Sequence, residues 1–230
     1  MKKKLVILSG AGVSAESGVQ TFRDTDGLWE GFDVNDVATP EGFARNPALV
    51  LDFYNQRRQQ LKTVLPNLGH EIIADLEHDF DVQIITQNVD NLHEKAGSTK
   101  VLHLHGELLK VRSTENHRNI LDWEDDLVLG DFDKNGHQLR PHIVWFGEDV
   151  PALEQAVAMV QAADFVIIIG TSLQVYPAAG LMHFAPTDIP IFYIDPKPAA
   201  IDDRPNNLKI IEQLGSKGMQ IVQKELLKMK

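Results

Sequence analysis

Short apolar runs alternate along this chain with longer amphipathic stretches. Runs rich in Val and Ile, without alternating polar positions, are typical of strands buried on both faces of a parallel sheet. Helical stretches follow these runs, which predicts right-handed crossovers and an α/β fold. The predicted strands are Leu5–Ser9, Val82–Thr86, Val101–Leu104, His142–Trp145, Phe165–Ile169 and Ile189–Ile194.

Two segments interrupt this rhythm. Residues from about 20 to 65 have the pattern of a helical insertion, and residues from about 112 to 140 are polar and irregular. The C-terminal stretch Gly218–Lys230 predicts a last short strand and a helix, whose final lysines complement the helix dipole. The pattern as a whole is an interrupted α/β fold without repeats.

The first predicted strand ends in a glycine-containing turn. Gly10 and Gly12 allow a tight turn and the close approach of a pyrophosphate, and N–H groups at the start of the next helix then face the anion. Ala15 completes the G-x-G-x-x-A pattern by closing the contact between helix and strand. A simple hydride-transfer enzyme would continue into a second strand ending in Asp or Glu. Thr21–Trp29 has neither strand nor helical periodicity, which argues against that class.

Polar residues follow several predicted strands, where open α/β sheets bind ligands. One group is Gln87, Asn88 and Asp90, and another is Gly170, Thr171 and Ser172. Turn formation or helix capping explains these residue types equally well. Asp195, after the strand that ends at Ile194, could accept hydrogen bonds from an adenosine ribose.

Two histidines alternate on the predicted strand before Gly106. His103 and His105 lie two residues apart and therefore share a face of the strand. They are either two metal ligands, or one structural and one functional histidine. An imidazole has a pKa near neutral pH, so it can serve as a general base.

A long helix is predicted after Asn46 and Pro47, which form an N-cap and a first helical position. Tyr54 and Arg57 lie three residues apart on its apolar face, whereas Arg58 points about 100° away. An arginine on an apolar face needs an anion, either a ligand or an internal carboxylate.

Composition narrows the functional classes. The 230 residues carry a net charge of −11, which argues against nucleic acid as the main partner and is compatible with a basic, lysine-bearing substrate. The chain has no cysteine, so disulfides and thiolate chemistry are excluded, and a cytoplasmic location is expected. No apolar run is long enough for a membrane helix.

Several short motifs together resemble the sirtuin family of NAD-consuming protein deacylases. They occur in the family's order between residues 5 and 222. The matching motifs are Gly10–Gly12, Ser17–Gly18, Phe22–Arg23, Gly27–Trp29, Thr86–His93, His103–Gly106, Val144–Glu148 and Gly170–Ser172.

The resemblance implies a Rossmann-like parallel sheet with a small domain formed by two insertions. The large domain would comprise residues 1–20, 66–111 and 141–230, and the small one residues 21–65 and 112–140. NAD, consumed as a co-substrate, would bind in the cleft between them. The implied NAD-binding residues are Gly10, Ala11, Gly12, Ala15, Phe22, Arg23, Trp29, Gln87, Asn88, Asp90, Gly170, Thr171, Ser172, Asp195 and Gly218.

The resemblance also assigns chemical roles. His105 would be the catalytic base, with Asn88 and Asp90 beside it in the nicotinamide pocket. The segment Val144, Trp145, Phe146 and Gly147 would pair with an extended acyl-lysine peptide. Tyr54 and Arg57 resemble the pair that binds the distal carboxylate in sirtuins acting on acidic acyl groups.

The main difference between this sequence and the sirtuin pattern is the lack of residues for a structural zinc site. Most sirtuins hold a structural zinc with four cysteines in the second insertion, but Arg112 and Ser113 stand where the first would fall. His117 and His137, with acids nearby, lack the spacing of zinc ligands, so we expect no zinc. Asp195 replaces the usual Asn, and Gln20 stands where many sirtuins have Pro.

The sequence therefore predicts an NAD-dependent protein-lysine deacylase, acting on succinyl- and acetyl-lysine and releasing nicotinamide and O-acyl-ADP-ribose. Two alternatives use the same scaffold. One is an NAD glycohydrolase or ADP-ribosyltransferase, and the other is an NAD-sensing module without turnover. His105, the peptide edge and the Tyr54/Arg57 pair favour deacylation over both.

Overall fold

A six-stranded parallel sheet forms the centre of the fold. The structure is a computed structural model that describes residues 1–19, 28–29, 31–201 and 204–230. The order of strands across this sheet is β11-β10-β9-β1-β4-β5, with every neighbouring pair parallel. These strands are β1 (Lys4–Ser9), β4 (Asp81–Thr86), β5 (Val101–His103), β9 (Phe165–Ile169), β10 (Ile191–Ile194) and β11 (Leu208–Ile211).

The strand order is that of a doubly wound dinucleotide-binding sheet. The chain moves outward from β1 through β4 to β5, then returns to the other side of β1 as β9 and continues to β11. The order therefore reverses between β1 and β9, and a crevice opens at the carboxyl ends of these two strands. This crevice is where such sheets bind ligands.

Both faces of the sheet are covered. Leu5 and Ile7 of β1 pack in one apolar cluster, and Val6 and Leu8 pack in a second on the opposite face. Alternate residues of a strand point to opposite faces, so the unbroken apolar run seen in the sequence is explained by burial on both sides. The helices are α1 (Gly12–Ala15), α2 (Val34–Val37), α3 (Pro40–Arg45), α4 (Pro47–Thr63), α5 (Leu68–Asp75), α6 (Leu92–Lys95), α7 (Leu153–Gln161) and α8 (Gly215–Leu226), with 3-10 helices at Leu76–His78 and Ala178–Phe184.

The first insertion is helical, as predicted. A two-stranded ladder of β2 (Leu28–Trp29) and β3 (Phe32–Asp33) leads into α2, α3 and α4. Asn46 caps α4 by accepting the backbone N–H of Leu49, with Pro47 in the first turn. The predicted N-cap and first helical position are therefore confirmed.

A three-stranded sheet that the sequence analysis missed begins before the second insertion and extends through it. The strands β6 (Gly106–Ser113), β7 (Ile120–Asp122) and β8 (Leu139–Ile143) form a three-stranded antiparallel sheet in the order β7-β6-β8. The prediction of an irregular segment over 112–140 is wrong, because two of its stretches pair with β6. The prediction of a strand at His142–Trp145 in the parallel sheet is also wrong: the strand ends at Ile143 and pairs antiparallel with β6.

The C-terminal prediction needs a correction as well. Gly218 lies inside α8 and the last strand, β11, precedes that helix, so no strand follows Gly218. A Cβ at Gly218 would collide with the side chain of Ile194, which shows why glycine brings α8 close to β10. No helix in the described part of the chain is both long and apolar enough to span a membrane. The division into a large and a small domain stays a prediction.

Candidate functional site

A cavity of about 310 Å³ opens at the carboxyl ends of β1, β4 and β9. This volume is within the range of small-molecule sites. It gathers most of the residues predicted from sequence: Gly10, Ala11, Gly12, Trp29, Tyr54, Arg57, Gln87, Asn88, Asp90, His105, Val144, Trp145, Phe146, Gly147, Gly170, Thr171 and Ser172. Residues of α4 and residues in or next to all three of the described sheets thus meet at one place.

Two glycine turns interlock at the floor of the cavity. A Cβ at Gly10 would lie 2.8 Å from the carbonyl oxygen of Gly170, and one at Gly12 would lie 2.7 Å from the Cα of Gly170. Gly170 has a φ of +63° and would collide with Val13 if it carried a side chain. These glycines are needed for the contact between the β1 and β9 turns.

The backbone N–H groups after this turn donate within the chain. Those of Gly12, Val13 and Ser14 bond to the carbonyls of Gly170, Gly10 and Ala11 at 2.8, 3.1 and 3.0 Å. The expectation that the first N–H groups of this helix face an anion is therefore wrong for these three, because they bond to carbonyls of their own loop and of the turn after β9.

A buried hydrogen-bond chain links the two strand ends. Asn88 Nδ2 donates to Ser14 Oγ at 3.1 Å, and Ser14 Oγ donates to Asp90 Oδ2 at 3.0 Å. Burial raises the pKa of Asp90, although the N–H of Leu92 and the Ser14 hydroxyl oppose that shift. Sequence reasoning missed Ser14 as a site residue. Its signal was a hydroxyl in the first turn after the glycines.

The histidine ambiguity is resolved by hydrogen bonding. His105 Nδ1 lies 3.1 Å from the carbonyl oxygen of Gln87. A carbonyl only accepts, so Nδ1 carries the hydrogen and Nε2 keeps its lone pair. Burial lowers the pKa of His105, outweighing the Gln87 hydrogen bond, so the neutral base form dominates at neutral pH. The Gln87 side chain is held by Thr171 Oγ1 at 3.2 Å.

His103 has a different environment. Its Nδ1 lies 3.0 Å from the carbonyl oxygen of Asn88 and its Nε2 lies 2.8 Å from Glu94 Oε1. Burial lowers the pKa of His103, but the Glu94 carboxylate and the Asn88 carbonyl outweigh burial and raise it. Both ring nitrogens of His103 thus face acceptors, His103 does not line the cavity, and the two histidines do not form a metal pair.

Tyr54 and Arg57 reach the cavity from α4. Tyr54 is fully buried and Arg57 is 6% exposed. The Arg57 guanidinium carbon lies 3.2 Å from the centroid of the Phe53 ring, and Nη1 donates to the Phe53 carbonyl at 2.6 Å. Arg58 points elsewhere and is also buried, donating to the Leu108 carbonyl. Only Arg57 of the two lines the cavity.

The Val144–Gly147 segment is a turn that follows β8. Val144 donates its N–H to the His105 carbonyl at 2.9 Å, and Phe146 donates to Ala38 at 3.0 Å. The turn is closed by the N–H of Glu148, which donates to the Trp145 carbonyl at 3.0 Å. These bonds connect the segment to His105 and to Ala38 of the helical insertion.

Buried charges behind this turn were missed by the sequence analysis. Glu148 accepts from Arg140 Nη1 at 2.7 Å and from Arg112 Nη2 at 2.8 Å. It also accepts the backbone N–H of Trp145 at 2.8 Å. Arginines at strand positions beside apolar residues were the available signal, since each needs an anion.

Three predicted NAD-binding residues do not line the cavity. Ala15 is exposed, so it does not close a helix–strand contact; Gly218 performs that packing role at another helix. Asp195 is fully buried and accepts the N–H of Lys197 at 2.8 Å. Phe22 and Arg23 lie outside the described residues.

The residues of the second insertion do not fit a zinc ion. Ser113 Oγ accepts the N–H groups of Glu115 and Asn116 at 3.3 Å each, and Asp133 Oδ1 accepts those of Asn135 and His137 at 2.8 and 3.0 Å. Within the described ranges, no three or more His, Cys, Asp or Glu residues come together as a metal site. Backbone N–H groups thus occupy Ser113 Oγ and Asp133 Oδ1, two of the oxygens in this insertion.

The fold and this cavity define the class of doubly wound α/β proteins that bind dinucleotides at the switch point of the sheet. Residues 10–177 match the model of the Sir2 family. The chain belongs to this family, and its fold is the Sir2 fold.

Relatives and solved structures agree with this membership. An NAD-dependent protein deacylase of Helicobacter pylori strain 26695 is 56% identical over 227 residues, covering 99% of each chain. A Sir2 homologue mutant in complex with ADP ribose superimposes with a TM-score of 0.88 at 37% identity, covering 100% of this chain and 95% of that one. A Sir2 mutant with a deacetylated p53 peptide and 3′-O-acetyl ADP ribose has a TM-score of 0.80 at 29% identity, covering 97% and 94%.

Proposed function

We propose that this chain is an NAD-dependent protein-lysine deacylase that removes acidic acyl groups, succinyl among them, as well as acetyl groups. Membership of the Sir2 family and 56% identity to a protein deacylase over nearly the whole chain support NAD-dependent deacylation. The acidic-acyl preference rests on one observation: Tyr54 and Arg57, both buried, line the same cavity as His105.

The residues present fit the nicotinamide end of NAD. Asn88 and Asp90 offer an amide and a carboxyl group, held in place through Ser14. Bound NAD would supply the ribose that receives the acyl group, with release of nicotinamide. His105 presents Nε2 with a free lone pair, which can take a proton from a hydroxyl group.

The peptide side of the cavity would be formed by Val144–Gly147. The N–H groups of Val144, Trp145 and Phe146 are already bonded within the chain. An extended peptide would therefore pair with carbonyls of this segment and with the backbone around Gly147. Backbone pairing tolerates many sequences, which suits acyl-lysine proteins of the cytoplasm as substrates.

An acidic acyl group matches the chemistry of a guanidinium that lines this cavity. A carboxylate can accept two parallel hydrogen bonds from one arginine. An acetyl group has no such carboxylate. The Tyr54 hydroxyl and the Arg57 guanidinium would then bind the distal carboxylate together.

The test is the substitution Arg57→Met, assayed with NAD and a panel of acyl-lysine peptides by mass spectrometry of nicotinamide, peptide and O-acyl-ADP-ribose. We expect kcat/KM for succinyl-lysine to fall about ten- to a hundredfold or more, because charge-assisted hydrogen bonds are lost. Activity on acetyl-lysine should change much less. Arg45→Met is the matched control, since Arg45 is an exposed arginine paired with Asp36.

Two results would contradict the acidic-acyl assignment. If Arg57→Met lowers both activities together, Arg57 is a structural cation that holds the helix. If it lowers neither, this residue does not bind the acyl group.

A further inference from the structure

A hydrogen bond between two buried rings determines where the phenolic hydrogen of Tyr54 can point. Trp145 Nε1 lies 2.9 Å from the phenolic oxygen of Tyr54. An indole N–H can only donate, so the phenolic oxygen accepts this bond and its own hydrogen points away from Trp145. Tyr54 is fully buried, Trp145 is 2% exposed, and both line the cavity that also contains Arg57.

The phenol keeps this hydrogen at neutral pH. Burial raises the pKa of Tyr54 well above its ordinary value. The hydrogen bond from Trp145 and the positive charges of Arg140 and Arg57 lower it, without cancelling the effect of burial. The group is therefore a neutral hydrogen-bond donor.

The indole itself is held firmly. The Arg140 guanidinium carbon lies 3.3 Å from the centroid of the Trp145 ring. The backbone N–H of Trp145 donates to Glu148 Oε2, which also accepts from Arg140 and Arg112. The ring is thus fixed on one face by a cation and at its backbone by the same ion-pair cluster.

We propose that Trp145 is a positioning residue for acyl selectivity. Its N–H occupies the lone pair of the Tyr54 hydroxyl that faces the indole, so the phenolic hydrogen is directed to the distal carboxylate of an acidic acyl group beside Arg57. This proposal rests on the proposed function above. It adds that selectivity depends on a residue whose side chain acts through Tyr54.

The test measures the ratio of kcat/KM for succinyl-lysine to that for acetyl-lysine, with KM and kcat separated. Trp145→Phe should lower this ratio about three- to tenfold, mainly through KM, because one neutral hydrogen bond loses its geometry. The ratio is the readout because a general loss of structure would lower both activities. Trp123→Phe makes the same chemical change at a tryptophan that does not line the cavity, and should leave the ratio unchanged.

A double-mutant cycle shows whether the effect passes through Tyr54. Tyr54→Phe removes the hydroxyl, so adding Trp145→Phe should lower the ratio no further. Benzothienylalanine at position 145 replaces only the indole N–H by sulfur and preserves ring shape. It should lower the ratio in the same way, even if Trp145→Phe fails to fold.

The proposal is overturned if benzothienylalanine leaves the ratio within twofold of the parent, or if Trp145→Phe lowers it equally in the Tyr54→Phe background. Measuring Arg57→Met in parallel separates the two hypotheses. A selective loss with Arg57→Met but none at position 145 overturns only the role of Trp145. A parent without Arg57-dependent activity on succinyl-lysine overturns both.

Discussion

His103, the last residue of β5, and His105, in the bend between β5 and β6, have opposite pKa shifts because their surroundings differ. His105 bonds to the Gln87 carbonyl, and burial outweighs this bond and lowers its pKa. His103 bonds to a carbonyl and to Glu94, which outweighs burial and raises its pKa. His105 is therefore suited to accept a proton, whereas both ring nitrogens of His103 already face acceptors.

At the residue scale we predict that His105→Ala lowers deacylation by about 10²–10⁴-fold, because a positioned general base is removed. Folding and NAD binding should be retained, as measured by thermal unfolding and calorimetry. His103→Gln is the matched control and should cost less than tenfold. Activity of His105→Ala within threefold of the parent would exclude His105 as the base.

At the scale of elements, α5 and α6 meet through a buried histidine pair. The rings of His70 and His93 lie 4.9 Å apart, and both side chains are almost fully buried. Asn67 donates its backbone N–H to His70 Nδ1 at 3.3 Å, which completes a capping box at the start of α5. Burial lowers the pKa of His70 to about 4, more than Glu16 and Glu94 raise it.

This pair predicts a loss of stability in mild acid. His70 binds a proton below about pH 6.5 in the unfolded chain, but only below about pH 4 in the folded chain. The free energy of unfolding is therefore unaffected by the titration of His70 well above pH 6.5. It falls as the pH decreases, and the loss from His70 reaches about 2 kcal/mol at pH 5. His70→Gln preserves the capping box and removes this titration.

The measurement is urea unfolding of parent and variant at pH 7.5 and pH 5. The His70→Gln variant should lose about 2 kcal/mol less than the parent between these values. His78→Gln alters a histidine whose side chain is 86% exposed and should behave like the parent. Equal losses in parent and His70→Gln would show that His70 does not resist protonation.

The elements that were predicted correctly have a recognisable pattern in their own residues, whereas several that were missed depend on a distant partner. Apolar runs such as Phe165–Ile169 predicted the parallel strands correctly, because burial on both faces leaves no polar position. The antiparallel sheet was missed because β7, Ile120–Asp122, has only three exposed residues. Its pairing is set by β6, not by its own pattern.

The site was predicted where motifs are short and local, and missed where partners are distant in sequence. Gln87, Asn88 and Asp90 follow one strand and lie together in the cavity. Glu148 and Arg112 are 36 residues apart, so their ion pair depends on the turn after β8 meeting β6. The position of Gly218 against Ile194 likewise depends on a contact between elements that no local pattern contains.

For the whole molecule, we predict that activity and thermal stability survive a chelator. Ser113 and Asp133 accept backbone N–H groups, so this part of the chain is organised by turns. Protein purified without added metal should contain zinc well below one equivalent by elemental analysis. One zinc per chain, lost together with stability on chelation, would show that His117, His137 and nearby acids form a site.

The close packing of the two glycine turns couples positions that are far apart in sequence. Gly10 and Gly12 leave no space for a side chain because Gly170 is there, and Gly170 leaves none because of the turn that holds them. A methyl group at any one of these positions would displace backbone that the other two define, so alanine at any of them should disturb both turns together. The floor of the cavity is therefore shaped by three residues that act as one steric unit, although Gly170 lies 160 residues after Gly10 in sequence.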